Sequence, residues 1–266
     1  MVRLLSILTY SVLLMSLIGC HPDKKQDPIW HDLKIGDLTP PKKHQQNFFL
    51  TTMNFDVYTF EIPAENIDVL NQIWSQLYTE QIQFNNPTTF NTNSFSAAFG
   101  ELAMWDQIAD LLRLANGRKT HKLTLLLSHD QPEDIVIARL DTPQNVFYIS
   151  PNHSMEGATI GPGQISLRVK ANRVPDSRGV CMLHAKPVFS PYLARSSFKS
   201  DSNKKTGELA FIPFGFAVRM SPGYFVFLGP NQRIETEGSL ASFFFIKPGK
   251  KPAIKTYLLF CTGIMD

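Results

Sequence analysis

Hydrophobic positions fall into three regimes along this chain. From Leu4 to Ile18 they form a nearly continuous run. From Phe48 to Ser128, alternating runs interleave with helical stripes. Past residue 129 only short strand-like runs remain, cut by turn signals. In the middle regime Asn54–Glu61 alternates as a strand, and Ile62-Pro63-Ala64-Glu65 reads as a helix entry with proline in the first turn. Ile67, Leu70, Ile73, Trp74 and Leu77 then mark one apolar helical face, with Trp74 as a core residue. Gln81–Phe84 and Phe90–Phe99 read as strands. Leu102, Trp105, Ile108, Ala109 and Leu112 form a second helical stripe that stops at Asn116-Gly117, and His121–Ser128 returns as a strand. The order predicts a small βαββαβ-type module over residues 51–128, with two helices on one sheet.

Residues 129–266 predict a β-rich, sandwich-like domain, so the fold class is α+β. Its strands are read at Asp134–Leu140, Val146–Ile149, Gln164–Lys170, Gly179–Ala185, Leu209–Met220, Tyr224–Leu228, Ser242–Ile246 and Thr256–Cys261. Turns at Asp141-Thr142-Pro143, Ser150-Pro151-Asn152, Gly161-Pro162-Gly163 and Ser221-Pro222-Gly223 separate them. Residues 190–208 read as a polar loop. On a strand, Phe243 and Phe245 would share one face and Phe244 the other. That requires both faces to be covered within the monomer, or one to be an interface.

The first run is too short to span a bilayer and follows the positive Arg3, as a signal segment does. It ends in Leu17-Ile18-Gly19-Cys20, which resembles a bacterial lipobox. The resemblance implies cleavage between Gly19 and Cys20 and diacylation of the Cys20 sulfur. The other reading is an ordinary signal peptide with a cysteine at its cleavage site. Residues 1–20 are therefore expected as a lipoprotein signal and 21–50 as a polar tether. His21 in the second mature position, by resemblance to envelope sorting in diderm bacteria, implies the outer membrane, facing the periplasm. The anchor would be lipid alone, since no second apolar run reaches spanning length.

A second resemblance covers residues 160–263. Gly163–Lys170 and Gly179–Ala185 are followed by Pro222-Gly223-Tyr224-Phe225-Val226-Phe227-Leu228-Gly229. Glu237–Phe244 and Lys255–Thr262 complete the series. The series resembles the C-terminal sheet of secretins, the outer-membrane ring proteins of secretion and pilus machines. Pro230 replaces that family's second glycine, and Leu240-Ala241 its leucine-glycine pair. Too few residues lie between Ser128 and Gly163 for the long hairpins of a membrane barrel. The resemblance thus implies a secretin-like sheet without a pore. The whole chain resembles a group of bacterial envelope lipoproteins with this order of parts, which brings no known activity.

Composition changes this picture little. The chain has 266 residues, 43% hydrophobic and 18% charged, with 20 Phe and 18 Pro, fitting a β-rich globular body broken by turns. A net charge of +3, reduced by one on loss of Arg3, is too small to argue for nucleic acid. Besides Cys20, the cysteines are Cys181 and Cys261, both in strand-like runs; a disulfide between them is open if those strands adjoin, and two buried thiols are the alternative. The seven histidines show no metal-ligand spacing, and no metal or other cofactor is expected. His129-Asp130 with Glu133-Asp134 reads as a solvated acidic turn. Ser196-Ser197-Phe198-Lys199 matches a serine-acylase pattern only formally, without its partner motifs.

The reading is a lipid-anchored envelope protein acting by assembly or scaffolding, with the membrane, envelope proteins or its own copies as partners. A monomeric binding lipoprotein, presenting a β surface to a periplasmic partner or to peptidoglycan, is the alternative. An envelope enzyme is the further one, and no catalytic residue is predicted for it.

Overall fold

Two helices cover one face of a sheet whose other face packs on a second sheet. The computed structural model describes residues 52–192 and 207–265. Gly19, Cys20, the signal, the tether and Ser196–Lys199 lie outside them. In chain order the first elements are β1 (Thr52–Pro63), α1 (Ile67–Trp74), β2 (Ile82–Phe84), α2 (Pro87–Thr92), β3 (Ser96–Glu101), α3 (Trp105–Leu114) and β4 (Arg118–Ser128). Then follow β5 (Pro132–Leu140), β6 (Gln144–Ile149), β7 (Met155–Ile160), β8 (Gly163–Arg173), β9 (Cys181–Pro191), β10 (Leu209–Ala210), β11 (Phe216–Met220) and β12 (Tyr224–Gly229). The chain closes with α4 (Leu240–Phe245), β13 (Ile246–Lys247) and β14 (Ala253–Met265). The protein is α+β and rich in strand.

The first sheet has the order β3-β12-β14-β1-β4 and the second β2-β11-β9-β8-β5; β6 and β7 form a separate hairpin. Every pairing is antiparallel. Strand alternation divides the side chains of the first sheet between two cores. Met53, Phe55, Val57, Val226, Leu228, Leu259 and Cys261 point toward the second sheet. Phe60, Ile62, Phe225, Phe227 and Leu258 point toward Leu70 and Ile73 of α1 and Ile108 and Leu112 of α3. Burial on both faces is why β12 and the middle of β14 are unbroken apolar runs instead of alternating ones.

The helical stripes form α1 and α3, except that Leu102 falls in a 3-10 turn before α3 and is exposed; Trp74 packs against Phe227 at 5.2 Å while its indole N–H donates to the Pro230 carbonyl. The boundary expected at residues 128–129 falls at the turn joining β4 to β5, inside one compact unit spanning Phe49–Asp266. Strands from both sides of that turn interleave: β1 lies between β14 and β4, β3 pairs β12, and β2 pairs β11. The inward faces of β1 and β4 need the second sheet for burial, a long-range requirement that chain order does not reveal.

Three local expectations are corrected. Phe243–Phe245 lie in α4, not a strand, because Ser239 caps that helix by accepting the Ser242 N–H. Phe244 and Phe245 are buried there, within the monomer. Residues 87–92, read in part as strand, form α2, with Pro87 in its first turn and Asn86 accepting the Thr89 N–H at 2.8 Å. The run 209–220 is broken by a 3-10 turn at Ile212–Phe214, around Pro213.

Candidate interaction surface

Where each sheet edge ends decides where another strand can add, because unpaired N–H and C=O groups are a template for pairing. In the first sheet, β4 carries Arg118, Lys119 and Lys122 along its edge, and Tyr78 exchanges two backbone hydrogen bonds with Phe99 on the outer side of β3. In the second sheet, β2 has only three residues. Its other edge strand, β5, starts at Pro132 and has its register broken between Val136 and Ala138. The Ile137 carbonyl at that break accepts from Lys255 Nζ at 3.3 Å. Each of these edges is short, charged, bulged or covered.

The β6–β7 hairpin differs. Its inward face seats Val146 and Ile160 in the core and sets Tyr148 edge-on to Phe211 and Phe214. The Tyr148 hydroxyl donates to Glu156 at 2.7 Å; burial first, and then that carboxylate, push its pKa up to about 12. The outer edge of β6 is covered, since the Phe147 N–H donates to the Gly238 carbonyl at 2.9 Å. That bond points away from β7, so Phe147 and Gly157 form a non-hydrogen-bonded pair of the hairpin ladder. By alternation Met155, Gly157 and Thr159 aim their N–H and C=O groups away from β6. Among the described residues no strand pairs with that edge. The strand carries no lysine, proline or bulge of the kind that guards the other edges.

The outward face of the hairpin is apolar at its tip, with Phe147 38% and Met155 72% exposed. A groove of about 510 Å³ runs beside it, lined by Phe147, Met155, Asn93, Gln232, Ile234 and Glu235 among others. Asn93 fixes the groove floor: its side chain accepts from the Ile149 N–H at 2.6 Å and donates to the carbonyls of Ile149 and Thr89. These bonds fasten the end of β6 to α2.

The cysteines predicted as a candidate pair are brought together. Cys181 of β9 and Cys261 of β14 are free thiols, both fully buried in the core between the sheets. The influence of Cys261, and then burial, push the Cys181 thiol well above its ordinary value. The acidic turn is internally paired. Asp130 accepts from Lys170 at 2.7 Å, which holds its carboxyl below the usual range, and Arg168 grips Asp134 at 2.7 and 2.8 Å. A second concavity of about 410 Å³ on the second sheet is lined by Arg168, Lys170, His184 and Lys186. Burial, and then the charge of Lys170, lower the His184 pKa, and Arg168 is already shared between Asp134 and Glu208. Among the described residues no three His, Cys, Asp or Glu side chains cluster as a metal site requires.

Sequence reasoning missed β7 altogether. The signal available was the turn Ser150-Pro151-Asn152 after Val146–Ile149, which calls for a returning strand.

No family model and no curated protein matches the chain. Among solved structures it is similar to the secretin-domain β-barrel of InvG from the Salmonella SPI-1 injectisome, at 12% identity and a TM-score of 0.23, over 82% of this chain and 62% of that one. A second structure of that injectisome secretin gives 12% identity and 0.22, over 82% and 64%. The Klebsiella pneumoniae type II secretion outer membrane complex of PulD, PulS and the PulC HR domain gives 12% identity and 0.21, over 82% and 39%. The chain spans less than two thirds of the length of these chains. TM-scores this low do not establish a shared architecture.

Proposed function

We propose that this chain is a lipid-anchored bacterial envelope protein that works as an assembly subunit, by binding and not by catalysis. The outer edge of β7, which no strand pairs with among the described residues, carries this reading. Its outward N–H and C=O groups at Met155, Gly157 and Thr159 are complementary to those of any extended strand, and the other edges are guarded. The occupant is the equivalent region of a second copy, so that assembly proceeds by strand addition. The lipobox-like Leu17–Cys20 supports attachment through Cys20. His21 supports placement at the outer membrane, on its periplasmic side. Replacing Thr159 by proline removes one outward N–H, and with it the side-chain bond to Asn145, but no backbone bond of the β6–β7 ladder, and the oligomeric mass in detergent reads the result.

A second reading keeps the same edge but gives it to a strand of a different envelope protein. The exposed apolar side chains of Phe147 and Met155 on the hairpin's outward face favour it.

A further inference from the structure

We infer that Cys181 and Cys261 are the two halves of a disulfide that ties the second sheet to the first. Cys181 opens β9, opposite Arg173 on one side and Met220 on the other, whereas Cys261 lies in β14 opposite Phe55. Both side chains point into the core between the sheets, and both are fully buried there. Packed sheets ordinarily stand about 10 Å apart, too far for a bridge that needs Cα atoms about 4.4–6.8 Å apart. At this corner the chain itself pulls the sheets together. It leaves the second sheet at Met220, beside Cys181, and passes only Ser221 and Pro222. It then reaches Gly223, whose N–H donates to the Cys261 carbonyl at 2.9 Å.

Burial also fixes when the bond forms. Thiol exchange requires an accessible sulfur, and the closed core denies access to both. The bond is therefore made as the chain folds, before the two sheets close. One cysteine, as thiolate, attacks a small-molecule disulfide, forming a mixed disulfide and expelling one thiolate. The second cysteine gives its proton to solvent and displaces the other half. Two protein thiols are oxidised to one disulfide, and one small-molecule disulfide is reduced to two thiols. This inference concerns the interior alone and stands apart from the assembly reading.

The test uses the full chain carrying Cys20→Ser, so that only these two thiols remain. It is refolded from denaturant with oxidised glutathione, alkylated under denaturing conditions and weighed intact. The expected product takes up no alkyl group and is about two mass units lighter than the reduced chain. It melts roughly 10 °C above the same protein kept in reductant, because the closed loop is long, about 80 residues. Adding Cys181→Ala leaves one alkylatable thiol or one glutathione adduct, and a melting temperature indifferent to reductant. Two alkyl groups on natively folded protein would overturn the inference, as would covalent dimers in place of the internal bond. Should refolding from denaturant not restore the native circular dichroism, the same readings are taken on protein synthesised cell-free in the glutathione buffer, with the same two overturning results.

Discussion

Asp56 on β1 stands directly across the ladder from Thr124 on β4 and accepts its hydroxyl hydrogen bond at 2.6 Å. Lys122 reaches the other carboxylate oxygen at 2.8 Å, and the Tyr58 hydroxyl donates to it at 3.2 Å. This polar knot sits on the helix side of the first sheet, on the same strand face as Phe60 and Ile62, which the helix layer buries. Lys119 and Lys122 also lie over the Tyr58 ring, so the exposed edge of β4 is tied down by charge.

Burial alone would raise the Asp56 pKa, but the hydrogen bonds from Lys122, Thr124 and Tyr58 outweigh it and hold the carboxyl below its usual range. A carboxylate lowered on folding stabilises the protein above the unfolded value, near about 3.9, and that contribution is lost as pH falls through the folded value. Acid unfolding followed by circular dichroism is expected to show a shallower loss between about pH 5 and pH 2 for Asp56→Asn than for the parent. Asp56→Ala is expected to cost about 1–3 kcal/mol at neutral pH, since three donors lose their acceptor. Identical acid profiles for parent and Asp56→Asn would contradict this account of Asp56.

The buried Tyr257 hydroxyl donates to the Phe244 carbonyl at 2.9 Å, fastening α4 to β14. Burial pushes the phenol pKa up, so the donor stays protonated at all ordinary pH. Tyr257→Phe keeps the ring and strands the carbonyl. Denaturant titration should show a loss of about 1–3 kcal/mol; an unchanged midpoint would mean that water or another donor replaces the hydroxyl.

Gly100 lies in β3 directly across the ladder from Phe225 of β12. A Cβ there would collide with the ring of Phe225 and come within 2.8 Å of Leu77 Cδ2. Gly100→Ala is therefore expected to destabilise by about 1–3 kcal/mol through overpacking, although alanine is ordinarily better than glycine in a strand. A melting temperature equal to or above the parent's would show that Phe225 has room to move.

How far the sequence carries can be judged residue by residue. Leu70, Ile73, Ile108 and Leu112 announced α1 and α3 because a helical face is a local pattern, complete within a few turns. The α+β class was legible for the same reason. Phe243–Phe245 misled because three consecutive phenylalanines fit a two-faced strand and a buried helix turn equally well; the cap at Ser239, immediately before Leu240 opens the helix, decides it. Strand partners were not legible, since the pairing of Val57 with Leu259 joins the two ends of the chain. The candidate surface was least legible. β7 is Met-Glu-Gly-Ala-Thr-Ile, with little β propensity or alternation, and its importance lies in an edge that only the assembled neighbours define.

The central claim is assembly through the β7 edge, and light-scattering mass of the detergent-solubilised full chain tests it most directly. The parent should run as a defined oligomer, Thr159→Pro as a monomer with an unchanged melting temperature, and Thr159→Val as the parent does. The valine control loses the Thr159 hydroxyl bond to Asn145 but keeps the outward N–H. A monomeric parent would contradict self-assembly and leave the edge to a strand from a different protein; an oligomer that survives Thr159→Pro unchanged would contradict the edge itself.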